Sequence, residues 1–525
     1  MGTLKKIILI IRTLTYLKPI QVTNRIIRKI SSKSINRINF PETRNITKHK
    51  IHFIERSQSI LTENKFTFLN HTKELNSAKD WNNPKYPKLW LYNLHYFDGL
   101  LNNITDPSFK TNLINRWVDE NPVGFGNGWE PYPNSLRIVN WIKWHLSNGE
   151  LNNILLENLV LQVRYLTKTI EYHLLGNHLF ANAKALIFAG IFFKGKEAEN
   201  WFHKGKGILE KQIPEQFLQD GAHFELSTTY HALLTEDLLD IIQIMRIAEK
   251  PIPESWINIA QKAINWLTGI TRPDGMPPLF NDAAYGITPS LEEIISLSKI
   301  LGINENKEIK PGLNDFRESG YFRYEADDYS FFGDIGQIGP DYIPGHAHCD
   351  MLNFELFAHR TPVIVDTGIS TYEVGKRRQL ERGTKSHNTV QIRDSEQTEI
   401  WGAFRVARRA KIITRNIKGQ TAIGAYKGYC GSVHKRAFSF NTDSIIIADE
   451  INEENYATAR LHFHPSINVI ITDKIVTAGP IKIEFSNETN ILLKKYYYAP
   501  EFNKLIEADL LEISFIGHLK TKFII

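Results

Sequence analysis

The chemistry-bearing residues of this chain crowd into one stretch: His346 and His348 in GHAHCD, Asp366 in TPVIVDTG, and His387 in KSHNTV. Strand-like runs separate them, so a folded sheet can bring them together. Imidazole nitrogen and carboxylate oxygen are ligands that a zinc-type ion accepts. The set read from the sequence is His348, Asp366 and His387. Three unrelated polar side chains satisfied by hydrogen bonds would leave the same trace, and the residues alone do not separate the two readings. On a strand, alternation would place His346 and His348 on one face, with Cys349 turned into the core. His346 would then stand beside the ion, free for other work.

A second constellation precedes it. GNHLFANAKAL offers Asn177 and His178 just after Gly176, at an expected helix start, and ELSTTYHALL offers Tyr230 and His231 entering another helix. The plainer alternatives are that Asn177 caps its helix and that Tyr230 is buried with its hydroxyl bonded. Arg137, Lys143, Arg405, Arg408 and Arg409 are candidates for holding an anionic polymer. Trp129, Tyr132 and Trp401 are candidates for stacking on sugar rings.

Two kinds of element must position these groups. Between about 55 and 310, apolar residues recur at helical spacing, as in Leu155, Leu159, Val163, Leu166 and Ile170, or Leu234, Leu238, Ile242 and Met245. Loops rich in Gly, Pro and Asn separate them, which implies antiparallel helix pairs in series, an α/α toroid. After about 315 the runs are short, β-rich and bounded by turns, among them YSFFGDIG, TPVIVD, SIIIADEI and LEISFIG. These predict an antiparallel β-sandwich. The expected division is a basic arm over 1–50, a helical domain over 51–312 and a sheet domain over 313–525.

At 525 residues the chain is too long for one core, and 42% apolar composition supports globular domains. Its net charge of +6 is unevenly placed: residues 1–50 hold twelve Lys/Arg and a single acid, Glu42, so the remainder is slightly acidic. The arm suits peripheral contact with an anionic membrane surface or polymer, or a solvated basic helix. No nucleic-acid-binding motif is present. Two cysteines, Cys349 and Cys430, do not make a disulfide framework. The apolar run Ile7–Ile11 is cut by Arg12, so no clear signal peptide is expected, and no run is long enough to span a membrane.

In this order, GNHLFANAKAL, STTYH, GHAHCD, VIVDTG and KSHNTV, preceded by YNLHYFDGLL and WEPYPNSLRIVNW, resemble the heparinase II/III-like polysaccharide lyases. The resemblance covers roughly 85–410. It implies an α/α toroid followed by an antiparallel β-sandwich, with β-elimination of a uronic-acid-containing polysaccharide in the cleft between them. It also implies that Asn177 and His178 contact the uronate carboxylate, that Tyr230 and His346 are catalytic, and that His348, Asp366 and His387 hold a structural Zn2+. Arg137, Trp129 and Arg405 are the expected substrate-binding residues. The family context suggests a periplasmic or envelope location, while the lack of a clear signal admits the cytoplasm. A slightly acidic body fits a weakly charged uronate polymer better than a heavily sulfated one. The competing expectation is a non-catalytic anionic-polysaccharide-binding protein of the same fold. A metal-dependent hydrolase is disfavoured, because no H-E-x-x-H run accompanies the histidines.

Overall fold

The computed structural model of the chain describes residues 2–46, 51–103, 106–147, 149–303, 309–452, 456–473, 475–486 and 490–525. Helices dominate the first half. The series Lys88–Tyr96, Pro107–Glu120, Pro131–Ser147, Asn153–Thr169, Gly176–Phe192, Lys196–Gln216, Thr228–Ile247, Glu254–Ile270 and Leu291–Ile300 folds back and forth. Caps fix several starts: Asn152 Oδ1 accepts from Leu155 N, Ser227 Oγ from Tyr230 N, and Ser290 forms a capping box with Glu293. The residues at helical spacing are the ones buried; Leu155, Leu159, Val163, Leu166, Leu238 and Ile242 are all inaccessible. A core rich in indoles (Trp81, Trp90, Trp117, Trp129, Trp141, Trp266) fills the helical half.

One stretch read as helical is not. Lys65–Phe68 and His71–Glu74 pair as an antiparallel ribbon. Leu69 and Asn70, with φ of 53° and 60°, form the two-residue turn that such a hairpin needs. Leucine at positive φ is uncommon, so the sequence carried little signal for it.

From Gly312 onward, apart from a short helix at Lys376–Arg382, strands dominate the chain. Every ladder in it is antiparallel: a five-stranded meander from Gly312–Phe316 to Thr361–Ile364, an eight-stranded sheet running in space from Lys411–Lys418 to Val469–Thr472, and a four-stranded sheet that includes Val390–Ile392 and Ile506–Ile516. A second core lies among these sheets, with Phe331, Phe354, Phe438 and Phe523 in contact. The two halves share a packed seam. Phe316, Tyr321 and Phe332 of the meander belong to the helical core, and the Tyr321 hydroxyl donates to Leu226 O at 2.6 Å.

The placement of His346 and His348 on a strand is corrected. Both lie in the long loop between Tyr329–Asp334 and Phe354–Ala358. Gly339, Pro340, Pro344 and Gly345 interrupt any ladder there, since proline lacks the amide donor a ladder requires. Alternation therefore does not aim these histidines; side-chain bonds do.

Candidate active site between the helical and sheet domains

The helix Gly176–Phe192 brings Asn177 and His178 to the seam. Leu175 and Gly176 precede them at φ of 67° and 55°. A Cβ on Gly176 would stand 2.6 Å from both Glu225 Oε1 and Ile343 Cδ1, so only glycine fits this close approach. Asn177 N and Nδ2 both donate to Glu225 Oε1, each at 3.2 Å. His178 Nδ1 lies 3.1 Å from Glu171 Oε2, and its partly exposed ring rests on Tyr132, centroids 4.4 Å apart. Burial disfavours an imidazolium here, but the Glu171 carboxylate outweighs it and raises the His178 pKa.

Tyr230 sits in the first turn of Thr228–Ile247. Its ring stacks on that of His346, centroids 3.7 Å apart and planes 29° from parallel, and its hydroxyl lies 3.2 Å from that of Tyr372. Burial, then Tyr372 and Asp282, holds the Tyr230 phenol protonated, well above the ordinary tyrosine range. The helical and sheet halves thus meet at this pair.

Asp282 is what aligns them. Its carbonyl accepts from Ser227 Oγ at 2.7 Å, at the cap of the Tyr230 helix, and its amide donates to His346 O at 3.2 Å. Its carboxylate takes His346 Nδ1 at 2.9 Å, His348 Nε2 at 2.7 Å, and both terminal nitrogens of Arg378. Burial alone would raise this carboxyl; Arg378 and the two imidazoles more than reverse that and hold it well below the usual range. His346 Nε2, the ring's other nitrogen, lies 3.3 Å from Glu225 Oε2.

His348, Asp366 and His387 are buried together, the two imidazole centroids 5.3 Å apart. His387 Nδ1 is bonded to Asp366 Oδ2 at 2.7 Å, and Asn353 Nδ2 donates to the same oxygen. Among the described residues, no three His, Cys, Asp or Glu groups already stand as a metal cage. Two buried nitrogens nevertheless stand free for an ion. His348 Nδ1 and His387 Nε2 are buried nitrogens without a hydrogen-bond partner, each on a ring whose other nitrogen is held by a carboxylate. That is how carboxylates orient metal-binding imidazoles. Burial lowers the His348 pKa to about 3, the neutral form that a cation needs.

The expected sugar-binding residues fare differently. Arg137 is fully buried; its guanidinium donates to Gln162 Oε1, His95 O and Asn134 Oδ1 and lies 3.8 Å from the Trp117 ring. Trp129 is buried and donates to Asn121 O. Both are corrected to core roles, because neither exposes a face to solvent. Lys143 is likewise sealed against Asp240 at 2.5 Å, and Arg408 and Arg409 are engaged by Glu399 and the Tyr16 ring. Arg405 is exposed, 4.6 Å from the Trp401 ring, beside Phe404, which itself lies 5.0 Å from Tyr372.

Sequence reasoning missed Glu225, Asp282, Tyr372 and Arg378. Asp282 in FNDAAYG and Arg378 in GKRRQLERG sit among other polar side chains, so neither stands out. The only usable signal was proximity: Glu225 lies five residues before Tyr230, and Tyr372 six after Asp366.

Two domains clasping an Asn/His/Tyr/His cluster define the class, and comparison with known proteins gives the family. Residues 144–299 match the heparinase II/III N-terminus and residues 308–507 the heparinase II/III-like C-terminal domain. The chain belongs to the heparinase II/III-like family. It is 26% identical over 320 residues to a heparin-sulfate lyase of Bacteroides stercoris, covering 56% of this chain and 46% of that one. It is 23% identical over 381 residues to one of Bacteroides thetaiotaomicron, covering 61% and 51%. The chain thus spans about half the length of these relatives. Among solved structures, a heparinase III shares its fold at a TM-score of 0.65 and 18% identity, over 82% of this chain and 76% of that one. A mutant of heparan sulfate lyase HepC from Pedobacter heparinus does so at 0.62 and 17%, over 96% and 87%.

Proposed function

We propose that this protein is a polysaccharide lyase that cleaves a uronic-acid-containing polymer by β-elimination. The observation that carries the reading is the contact of Tyr230 with His346 across the domain seam, beside Asn177 and His178. The C5 proton of a uronate is weakly acidic until charge can spread onto its carboxylate. The Asn177 amide and the His178 imidazolium supply that stabilisation as fixed donors. Substrate displaces Glu225 Oε2 from its place 3.3 Å from His346 Nε2, and that nitrogen takes the C5 proton. Asp282 on Nδ1 orients the ring and stabilises the resulting imidazolium, as a carboxylate does for a catalytic histidine elsewhere. Tyr230, protonated in the resting protein, gives its proton to the departing O4 as the C4–O bond breaks and the C4–C5 double bond forms.

His348, Asp366 and His387 are the residues that would hold a Zn2+ ion, which when bound would tie the His346 loop to the sheet. The near-neutral body and the engagement of most candidate arginines favour a lightly charged uronate polymer, handled at the bacterial envelope. A non-catalytic binder of the same fold would not need a protonated tyrosine pressed against an oriented imidazole.

The test is spectroscopic. Elimination creates a double bond conjugated to the carboxylate, an ultraviolet chromophore that hydrolysis does not produce. Uronate polymers screened with the purified protein should yield it. Binding without any such product, across polymers of graded sulfation, would favour the binder.

A further inference from the structure

The first thirty residues form two helices, Thr3–Leu14 and Pro19–Ile30, joined by a short turn. Each is clipped to the body along one face. Leu9 is buried against Trp401 and Ala407, Arg12 pairs with Glu399 at 2.9 Å, and Trp401 Nε1 donates to Thr13 Oγ1 at 3.0 Å. On the second helix, buried Gln21 donates to Tyr342 O and Leu174 O. The opposite faces are apolar and bare. Leu4, Ile7, Ile8, Ile11 and Leu14 recur at helical spacing and are exposed, Leu4 to 72%. Ile26, Ile27 and Ile30 do the same on the second helix, Ile30 to 78%. Lys5, Lys6, Arg25 and Lys29 flank this surface, all exposed, and Glu42 is the only acid in the first fifty residues.

We propose that this helical pair is an interfacial anchor that lays its apolar face into a bilayer rich in anionic lipid. An apolar stripe rimmed by cations is the pattern of a helix lying in the headgroup boundary, and no helix among the described residues is long and apolar enough to cross a membrane. The charge decides between occupants. A second copy would bring the same cationic rim to face its like, at a repulsive cost. An anionic polysaccharide would pair with the lysines but leave the isoleucines in water. An anionic bilayer satisfies both.

The consequence reaches the site. The first helix rests on the hairpin Ile400–Trp401 and Arg405–Val406, whose tip carries Phe404 towards Tyr372 and His346. The second holds the Tyr342 loop that leads to His346. The anchor therefore braces both elements that lead to His346.

Co-sedimentation of the full chain with vesicles tests this without reference to catalysis. Phosphatidylcholine vesicles containing about one-third phosphatidylglycerol should pellet about tenfold or more of the chain over neutral vesicles, with the difference shrinking as salt rises. Ile26→Asp/Ile30→Asp should abolish pelleting while the far-ultraviolet circular dichroism and melting temperature stay put. Lys5→Gln/Lys29→Gln, which leaves the apolar face intact, should remove most of the preference for anionic lipid. Absence of vesicle binding, indifference to lipid charge, or binding that survives both double variants each overturns the proposal. So does a concentration-dependent dimer that Ile26→Asp/Ile30→Asp dissociates, which would assign the face to a second copy.

Discussion

Tyr230 and His178 have opposite acid–base assignments, and each makes its own prediction. Burial keeps Tyr230 a phenol, so Tyr230→Phe removes the proton donor and little else. Turnover should fall by about 10²–10⁴-fold with the melting temperature unchanged; full activity in that variant would remove Tyr230 from the mechanism. His178, in the proposed mechanism, acts as a cation. Its pKa is raised because Glu171 outweighs the cost of burial, so its charge is complete at low pH and lost as pH rises through that elevated value. KM should therefore climb with rising pH over that window, by roughly ten- to a hundredfold for a charge-assisted bond. Glu171→Gln should move the rise to lower pH. A KM that ignores both pH and Glu171→Gln would show that His178 does not grip the carboxylate. These roles were partly legible in the sequence, since histidines and a tyrosine beside helix starts stand out. Asp282 and Glu225 were not: a single carboxylate in a loop has no periodicity, and its importance exists only once two distant segments meet on it.

Among the elements, two positions test how rigidly the frame holds the site. Gly176→Ala places a Cβ at positive φ and against Glu225 and Ile343. The left-handed backbone alone costs about 1–2 kcal/mol, and kcat/KM should drop because Asn177 moves with it. In the large sheet, Asp449 bridges His434 and Arg436 on the neighbouring strand, at 2.6 Å to each. Burial opposes its ionisation, but Arg436 and His434 bring its pKa down to about 2. A depressed carboxylate stabilises the fold above its unfolded value near 3.9, and that stability is lost as pH falls towards 2. Asp449→Asn strands a buried guanidinium, so it should cost about 3–5 kcal/mol at neutral pH and flatten the acid limb of the unfolding curve. Element types were readable because helical and alternating spacing are strong signals. The ribbon at Lys65–Glu74 and the loop holding His346 were not, because one turns on a leucine at positive φ and the other follows no period at all.

Across the whole molecule, the seam couples parts that a linear reading keeps separate. If His348, Asp366 and His387 take up an ion, the purified protein should contain about one equivalent of zinc. Chelation should lower its melting temperature, and His387→Ala should mimic the chelator; a metal-free protein whose melting is unmoved by His387→Ala would refute the assignment. The body also depends on its first helix. Leu9→Ala, which leaves a hole against Trp401 costing about 2–5 kcal/mol, should loosen the hairpin behind Phe404 and raise KM more than it lowers kcat. The sequence suggested a separate basic arm; the buried Leu9 and the Arg12–Glu399 pair pack it against the hairpin behind Phe404.

Asp282 has one further consequence. Its two oxygens hold the His346 ring and the ring that belongs to the buried histidine pair, and its main chain joins the Tyr230 helix to the His346 loop. A descendant that gave up turnover could discard Tyr230 or His346 cheaply, yet could not part with Asp282 without unpicking the joint between its halves. Degenerate relatives should therefore be diagnosed at the ring residues, and an intact aspartate there certifies only that the architecture survives.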